Sequence, residues 1–465
     1  MKRLRALSNV NGAAAARRAA PRISRALSTA LLRTSTPPSS PTSLVPTSAL
    51  QRLSLSTVRH ASSTPASSEL QKTPLYDLHV AHGGKMVPFG GFHMPVQYDS
   101  LSVSASHHFT RSHASLFDVS HMVQHRFSGP GATAFLEKVT PASVSELGTH
   151  MGGLSTLLWP VTGGIVDDTI ITRLGPELFY VVTNAGCREK DLAYFKEQLA
   201  DFKASGGQKV DWEVLDGWGL IALQGSLSAD ILGKLLVEPD EVDLKSLYFG
   251  QSKFIKIKLL NGEASSPLLV SRGGYTGEDG FEISIPPAEA VSVTETLLQS
   301  ATPAQLQLAG LGARDSLRLE AGMCLYGHDL DDSTTPVEAA LSWVIGKNRK
   351  TEGGFHGADV ILKQLTPKKK GGSGVERRRI GLIVEGAPAR EGAEIVNENG
   401  EKIGKITSGC PSPTLGKNVA MGYIKDGFHK SGTAVEVVVR GKKRKATVTK
   451  MPFVPSKYWK GAALA

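Results

Sequence analysis

The sequence predicts a multidomain α+β fold, with antiparallel sheets and helices in the first part of the chain and an all-β region after it. Three observations support this prediction. Strand and helix patterns alternate irregularly from Thr73 to Lys347, without the regular strand–helix–strand order of a parallel α/β fold. The composition changes at Leu365–Arg379, and residues 380–455 contain only short alternating strand patterns. About 400 residues follow the basic N-terminal segment, which is enough for two or three domains.

The first part of the chain contains one clear helix pattern and several strand patterns. Asn184 is a suitable N-cap, and Leu192, Phe195 and Leu199 recur behind it at helical spacing. Strands are predicted at four apolar or alternating segments, GIVDDTIITR, ELFYVVT, GLIALQG and SKFIKIKLL. The last of these ends in Asn261-Gly262, a dipeptide that favours a hairpin turn.

A connector and a region of short strands follow. The segment LTPKKKGGSGVERRR at Leu365–Arg379 is rich in lysine, glycine and serine, which is typical of an exposed connector. Beyond it, RIGLIVEG, AEIVN, EKIGKI, AVEVVV and KATVTKMPFV alternate as short strands do, and Asn399-Gly400 marks a hairpin. We therefore expect one domain region at residues 70–365 and an all-β one at residues 375–460.

The N-terminal segment has the composition of a targeting sequence. Residues 1–68 contain ten Lys and Arg residues and no Asp or Glu. Ile23, Leu27 and Leu31 fall at helical spacing among arginines, and no continuous apolar run typical of a secretory signal is present. This pattern predicts a mitochondrial transit peptide at residues 1–60, and hence a protein of the mitochondrial matrix. A disordered basic tail is the alternative interpretation.

The same segment accounts for the net charge of the chain. The whole sequence has 53 Lys plus Arg and 43 Asp plus Glu, so removing the ten leader bases leaves 43 of each sign. A nucleic-acid-binding protein needs a basic surface on its folded domains. The basic tracts Lys368–Lys370, Arg377–Arg379 and Lys442–Lys445 are interpreted as loop and hairpin charges. No stretch of 18 apolar residues is present, so no membrane span is predicted.

The cysteines indicate neither a metal site nor a disulfide framework. Cys187, Cys324 and Cys410 are odd in number, far apart and without zinc-ligand spacing. Each is expected to act as a small buried apolar residue. Cys324 has no implied base near it, so we do not expect it to be a nucleophile.

A glycine-rich turn leads into an alternating strand at RGGYTGEDGFEISI, Arg272–Ile285. Because strand side chains alternate between two faces, Phe281, Ile283 and Ile285 face a core and Glu282 faces the other way. A carboxylate held on a strand suits a planar ligand that presents two adjacent N–H donors. The alternative is that Glu282 is an ordinary solvated strand residue.

A helix is predicted from Ala313 to Ala321 within GARDSLRLEAGMCLYG, with Gly322 ending it. Arg314 and Arg318 lie one turn apart on this helix, and like charges at that spacing repel. An anionic partner is therefore expected for at least one of them. The alternative is a pair of surface arginines bound to Asp315 or Glu320.

These segments together resemble the glycine cleavage aminomethyltransferases, the tetrahydrofolate-dependent T-proteins. The resemblance covers nearly all of the chain from Thr73 to Trp459, because seven further motifs occur along it in the family's order. They are TPLYDLHVAHGGKMVPFGG, SLFDVSHM, GGIVDDTIITR, YVVTNAGCREKDL, TTPVEAALSWVIGK, TSGCPSPTLGKNVAMGY and KMPFVPSKYW.

This resemblance implies an architecture and a reaction. The implied fold has three domains around a central folate channel, with the first domain discontinuous and the last a small β-barrel or jelly roll. The implied enzyme transfers the methylene carbon of an aminomethyl group to tetrahydrofolate and releases ammonia. The donor is the dihydrolipoyl arm of a carrier protein, the H-protein. Tetrahydrofolate is a co-substrate, and the resemblance implies no metal, nucleic acid or membrane partner.

The reaction calls for a carboxylate near the carbon that is transferred, because positive charge develops there and a proton must be removed. Asp167 and Asp168 are candidates, and as neighbours on a strand they face opposite sides. The residues alone do not choose between them, and a turn-capping Asp beside a solvated one is the alternative interpretation. Similarity to the family implies that Asp168 is the catalytic acid.

The resemblance also implies four residues that bind folate or line its site. Glu282 matches the glutamate that anchors the pterin, and Arg314 matches an arginine that contacts folate. Tyr458, between Lys457 and Trp459, matches another position that contacts substrate. Asn184 is expected to line the site, although helix capping explains it equally well.

Three other functions are considered. A non-enzymatic mitochondrial folate-binding iron–sulfur assembly factor has a Lys-Gly-Cys motif followed by Tyr and Gly-Gln-Glu, whereas this chain has AGMCLYGHDL at Ala321–Leu330. A sarcosine-type dehydrogenase needs a flavin-binding GxGxxG after a strand, which is missing at the start of this chain. An RNA-binding module does not fit the neutral charge of the mature protein. The transferase is the favoured prediction.

Overall fold

The computed structural model describes residues 69–461, so the predicted transit peptide at residues 1–60 lies outside the described residues. The strands in the described range are β1 (Gly84–Phe89), β2 (Phe92–Tyr98), β3 (Ala114–Asp118), β4 (Val123–Ser128), β5 (Gly152–Leu158), β6 (Ile165–Gly175), β7 (Leu178–Thr183), β8 (Asp211–Val214), β9 (Gly219–Gln224), β10 (Ser252–Ile255), β11 (Leu268–Arg272), β12 (Gly280–Ile285), β13 (Leu306–Leu308), β14 (Arg377–Val384), β15 (Glu394–Val396), β16 (Lys402–Ser412), β17 (Lys417–Lys425), β18 (Ala434–Val439) and β19 (Lys442–Thr449). The α-helices in the same range are α1 (Tyr76–Ala81), α2 (Val103–Ser112), α3 (Ala132–Val139), α4 (Arg188–Ala204), α5 (Ser228–Gly233), α6 (Ala290–Gln299), α7 (Leu311–Glu320), α8 (Arg349–Glu352) and α9 (Ala358–Leu365).

Two sheets form the first part of the structure. One has five strands in the order β5-β6-β7-β4-β8, and the other has six in the order β10-β11-β12-β9-β3-β13. Neighbouring strands are antiparallel except β13 and β3, which run parallel. The predicted α+β class with antiparallel sheets is therefore confirmed. A hairpin of β1 and β2 stands apart from both sheets.

The last six strands close into a barrel in the order β14-β17-β16-β15-β18-β19, with β14 pairing to β19. Leu382, Ile395, Ile406 and Val437 are fully buried inside it, as alternation along each strand requires. Closure removes the free strand edges that would otherwise be exposed. The C-terminal region is thus a closed six-stranded barrel, and its strand β17 has no counterpart among the predicted strands.

The two predicted hairpin turns have different outcomes. Gly400, with φ +83°, lies between β15 and β16, so this hairpin is confirmed. Gly262, with φ +85°, also makes a turn, but only an isolated Lys258–Ala264 bridge supports it because β10 already ends at Ile255. The segment after Ile255 therefore forms a turn without a regular strand pair.

The connector is shorter than the sequence predicts. Lys368–Lys370 form an exposed 3-10 turn, in agreement with the predicted exposed connector. The barrel, however, already begins at Arg377. Arg379 is buried, and its guanidinium donates hydrogen bonds to the carbonyls of Ala339 and Gly322. The interpretation of Arg379 as a loop charge is therefore wrong, because this arginine instead satisfies buried carbonyl groups.

The two sheets pack face to face, with α7 beside them. Tyr180 of β7 and Leu269 of β11 belong to one buried apolar cluster, together with Leu317 of α7. Gln124 of β4 joins the sheets by hydrogen bonding, because its Oε1 accepts from Ser284 Oγ of β12 at 2.6 Å. Side chains on the facing sides of the two sheets can therefore line a common site. No helix among residues 69–461 is long and apolar enough to cross a membrane.

Candidate active site

Asp168 lies in the middle of β6 and remains half-buried, whereas its neighbour Asp167 is fully buried. β6 is flanked by β5, where Thr156 pairs with Asp168, and by β7 on its other side. Both carboxylates nevertheless reach the same Nδ2 of Asn184, at 2.9 Å each, so their alternation along the strand does not separate them as the sequence predicts. Neither is a turn cap, so the alternative interpretation of this pair is wrong.

Asn184, directly after β7, binds both carboxylates. Its backbone N–H donates to Asp167 Oδ2 at 2.7 Å, and its Nδ2 donates to Asp167 Oδ1 and Asp168 Oδ1, each at 2.9 Å. Its side chain makes no capping hydrogen bond, and a 3-10 turn separates it from α4, which begins at Arg188. The helix-capping interpretation of Asn184 is therefore wrong, because the amide is committed to the two aspartates.

The surroundings of Asp168 favour its protonated form. Burial first, and then the negative charge of Asp167, raise the pKa of Asp168 to about 7. The hydrogen bond from Asn184 acts in the opposite direction. A carboxyl with a pKa near neutrality can both accept and return a proton under physiological conditions.

Glu282 lies on β12 between β9 and β11, opposite Ala222 and Ser271. Phe281 and Ile283 on its flanks are buried in the core, as the alternation predicts. Glu282 itself is half-buried, and burial raises the pKa of its carboxyl while the positive charge of Arg314 lowers it. It is therefore not an ordinary solvated strand residue.

Arg314 on α7 faces Glu282 and stacks on an aromatic ring. Its guanidinium carbon lies 4.7 Å from the centre of the Tyr275 ring, and its Nη1 is buried without a hydrogen-bond partner among residues 69–461. Burial lowers the pKa of Arg314, and the charges of Glu282 and Tyr275 oppose this effect. A buried donor without a partner is costly, which suits a group that awaits a ligand.

Tyr275 connects the two acids. Besides stacking on Arg314, it donates a hydrogen bond from its hydroxyl to the Cys324 carbonyl. Burial raises the pKa of Tyr275, and the negative charge of Asp168 raises it further. Tyr275 thus lies within electrostatic range of Asp168 and in contact with Arg314, which in turn interacts with Glu282. Asp168, Tyr275, Arg314 and Glu282 therefore border one region of the molecule.

Arg318, one turn after Arg314, has a different role. It is buried and forms ion pairs with Asp315 at 2.8 Å and Asp329 at 2.7 Å. Its Nη2 also donates to Ser408 of the barrel strand β16. The alternative of surface arginines bound to Asp315 or Glu320 is therefore correct in the partner of Arg318 but wrong in its location, because Arg318 is buried. The Nη1 of Arg314, by contrast, has no hydrogen-bond partner among residues 69–461, so the charges of the two arginines are satisfied in different ways.

Tyr458 lies in the tail after the barrel, against the glycine-rich turn. Its ring stacks on Phe249 with centroids 4.2 Å apart, and its hydroxyl is buried next to Ser456 and the backbone of Gly277. The preceding Lys457 donates from its backbone N–H to Gly277 at 2.8 Å. The turn that leads to Glu282 therefore also holds Tyr458.

Two groups of polar residues beside the site are not predicted from the sequence. Tyr180 donates to Gln124 at 2.8 Å, and the charge of Glu282 contributes to raising the pKa of Tyr180 after burial. Asp191 on α4 is fully buried near Asp167. Asp191 sits on the buried face of an otherwise charged helix turn, REKD, and this pattern does not distinguish it from the exposed acids around it.

The close packing of β6 allows a prediction about stability. Gly164, directly before this strand, has no room for a side chain, because an added Cβ would overlap the carbonyl oxygen of Asp332. We expect Gly164→Ala to lower the free energy of unfolding by about 1–3 kcal/mol, as overpacking does. Gly153→Ala is the control, since nothing lies within 4 Å of an added Cβ there. Urea denaturation of both variants measures the difference, and equal stabilities would contradict this account of Gly164.

Comparisons with known proteins decide the family. Residues 75–349 match the model of the GCVT N-terminal domain, and residues 377–455 match that of the glycine cleavage T-protein C-terminal barrel domain. This chain belongs to the glycine cleavage T-protein family. The resemblance seen in the sequence is therefore confirmed, and the barrel of β14–β19 falls within the second matched segment.

Several T-protein relatives are similar over most of the chain. A probable mitochondrial aminomethyltransferase of Schizosaccharomyces pombe is 50% identical and covers 87% of this chain and 98% of its own. The mitochondrial aminomethyltransferases of Pisum sativum and Homo sapiens are 50% and 47% identical, covering 84% and 85% of this chain and 91% and 92% of their own. The crystal structure of aminomethyltransferase T from Bartonella henselae superposes with a TM-score of 0.74 at 37% identity, covering 84% of this chain and all of that one. This T-protein family member is therefore an aminomethyltransferase of the glycine cleavage system.

Proposed function

We propose that this aminomethyltransferase carries out its one-carbon transfer in the region bordered by Asp168 and Glu282, with separate roles for the two acids. The observation that supports this most is the stacking of Arg314 on Tyr275, together with the electrostatic effects of Asp168 on Tyr275 and of Glu282 on Arg314. Asp168 has a pKa suited to exchanging a proton, and Glu282 lies within the electrostatic influence of Arg314. The predicted central folate channel remains a prediction.

The proposed chemistry assigns the proton transfer to Asp168. In the family reaction the C–S bond between the aminomethyl carbon and the lipoyl sulfur breaks and leaves a thiol. Two new C–N bonds form from that carbon to the two amine nitrogens of tetrahydrofolate, and ammonia leaves. An ionised Asp168 stabilises the positive charge on the carbon and accepts a proton from an attacking nitrogen. The hydrogen bond from Asn184 Nδ2 keeps that carboxylate in one orientation.

The proposed binding of the pterin depends on an ionised Glu282. The pterin presents an amino group and a ring N–H side by side, and one carboxylate can accept hydrogen bonds from both. Burial raises the pKa of Glu282, and the positive charge of Arg314 opposes this effect and so favours the ionised carboxylate. The free Nη1 of Arg314 is available to an anionic or carbonyl group of the same ligand.

Tyr458 and Asn184 complete the proposed site. Tyr458 lies against the glycine-rich turn that leads to Glu282, and this position supports its proposed contact with substrate. Asn184 acts on the substrate through the two aspartates that it holds. Tetrahydrofolate is the co-substrate in this proposal, and the expectation that no metal takes part stays a prediction.

Family membership supports a proposed location and a proposed partner. The chain is a mitochondrial protein, as its relatives are named, and we propose the matrix as its compartment because the basic, acid-poor residues 1–60 predict a transit peptide. The proposed partner is the lipoyl carrier, the H-protein. The predicted domain limits at residues 70–365 and 375–460 remain predictions.

An iron–sulfur assembly role is not favoured. Cys324, which stands where that class has its motif cysteine, is half-buried, and burial raises the pKa of its thiol to about 12. A thiol in that state is a poor nucleophile and a poor metal ligand at neutral pH.

The decisive assay incubates the protein with aminomethyl-loaded lipoyl carrier and measures ammonia release with and without tetrahydrofolate. Release that does not depend on tetrahydrofolate would contradict the proposal.

The pKa of Asp168 predicts how turnover depends on pH. Because the proposed reaction needs the ionised carboxylate, kcat should rise with pH through about 7, where Asp168 loses its proton. An ordinary aspartate would give this rise about three units lower. A pH–rate profile under saturating substrates measures the midpoint, and a profile that is flat between pH 5 and 8 would contradict the role of Asp168.

A further inference from the structure

A second buried acid lies behind the proposed catalytic carboxylate. Asp191, in the first turn of α4, is fully buried, as is Asp167 on β6. One donor atom from each of Asp167, Cys187 and Asp191 lies within 4.8 Å of the others. Both carboxylate oxygens of Asp191 are buried, and the side chains next to them that can form hydrogen bonds are those of Asp167 and Thr183.

Two ionised carboxylates cannot remain side by side without water or a countercharge. The simplest arrangement gives the pair one proton, so that one carboxyl donates a hydrogen bond to the other. The surroundings agree with this arrangement. Burial raises the pKa of Asp167 well above its usual value, and burial also raises the pKa of Asp191, to about 7.

We infer that Asp191 is a positioning residue for the transfer reaction, because it shares one proton with Asp167 and so holds Asn184 against Asp168. This inference rests on the proposed role of Asp168. Both oxygens of Asp167 accept hydrogen bonds from Asn184, at 2.7 and 2.9 Å. The same Nδ2 of Asn184 reaches Asp168 Oδ1 at 2.9 Å. The pair therefore determines both the orientation of Asp168 and the negative charge beside it.

Other titratable groups act on this cluster from several elements. Those with an electrostatic effect on the three aspartates or on Cys187 are Lys190 and Tyr194 of α4, Tyr275 of the glycine-rich turn, and Cys324, Tyr326 and Asp329 after α7. All of them are unchanged in the variants below. A difference between those variants therefore reports on the carboxyl pair itself.

The two halves of the pair should respond in opposite directions. Asp191→Asn leaves the negative charge on Asp167, next to Asp168, so the midpoint of the rise in kcat should move to higher pH. Asp167→Asn leaves the charge on Asp191, farther from Asp168, so the midpoint should move to lower pH. Each variant should also lower kcat by about 10–100-fold through misplacement of Asp168. The KM for tetrahydrofolate should change less than about twofold, since its binding groups are untouched.

The matched control is Asp201→Asn, which removes an exposed acid from the same helix and should leave both kcat and the profile unchanged. The inference would be overturned if the midpoint moved in the same direction in both variants, or if it did not move in either of them. If Asp191→Asn does not fold, Asp167→Asn tests the same pair against the parent.

A measurement without turnover separates this inference from the proposed function. Infrared difference spectra of parent minus variant at pH 7 should show the carbonyl band of one undissociated carboxyl, lost in both Asp191→Asn and Asp167→Asn. That result is expected even if Asp168 proves not to be catalytic. Absence of this band would overturn proton sharing. So would a metal analysis that finds one equivalent of a divalent cation in the purified protein and none in Asp191→Asn.

Discussion

Replacing Asp168 by asparagine is expected to abolish turnover while tetrahydrofolate still binds. The amide has the size of the carboxylate and its oxygen can accept the hydrogen bond from Asn184, so the local structure should persist. It carries no negative charge and cannot take a proton, which removes both proposed contributions to the transition state. We expect kcat to fall by at least about 10³-fold. Ammonia release measures kcat, and calorimetry of tetrahydrofolate binding measures Kd.

The control for this experiment is Asp211→Asn, which changes an exposed acid on β8 of the same sheet. It should keep the activity of the parent. If Asp168→Asn retains near-normal turnover, the catalytic assignment is wrong. If it loses folate binding together with turnover, Asp168 contributes to the binding of the substrate and not to the chemistry alone.

Replacing Glu282 by glutamine is expected to weaken tetrahydrofolate binding far more than it slows the reaction. A carboxylate accepts hydrogen bonds at both oxygens, whereas the amide turns one acceptor into a donor that opposes a pterin N–H. Arg314 would also lose its countercharge. The loss of one charge-assisted hydrogen bond is worth about 1.5–3 kcal/mol, so Kd should rise roughly 10–150-fold. Calorimetric titration with tetrahydrofolate measures this change.

At saturating tetrahydrofolate, kcat of Glu282→Gln should stay within about threefold of the parent, because the proposed contact of Glu282 is with a part of the folate that does not react. Glu295→Gln, on the exposed face of α6, is the matched control and should leave Kd unchanged. An unchanged Kd with a large loss of kcat would assign Glu282 to the chemistry and contradict the division of roles between the two acids.

Much of the fold could be predicted because its signals are local. The strands β6, β7 and β9 carry apolar or alternating patterns, and Gly400 marks its hairpin through a dipeptide that tolerates positive φ. Where a pattern was weak, the prediction failed. Strand β17 lies in KNVAMGYIK, where Gly422 and small residues interrupt the alternation, yet pairing with β14 and β16 on both sides holds it in the barrel.

The site was only partly predictable. The resemblance to the T-proteins implied roles for Asp168, Glu282 and Arg314, and these roles stay predictions. In the structure Arg314 stacks on Tyr275, Asp168 acts electrostatically on Tyr275, and Arg314 acts on Glu282. The function of Asn184 was ambiguous, because a residue before a helix can equally be a cap. Asp191 was missed altogether, since nothing in REKD marks which of its charged residues is buried.

The amino-acid pattern by itself determined the α+β class, the all-β C-terminal region, the near-neutral charge without the leader, and, through collinear motifs, the family. Those properties depend on short-range periodicity, composition and motif order, which are written along the chain. Only the tertiary structure decided that Asn184 joins two aspartates, that Arg318 is buried while Arg314 keeps a free donor, and that Asp191 lies against Asp167. These facts depend on contacts between distant segments, where burial changes the free energy of a charge, and no local pattern records that.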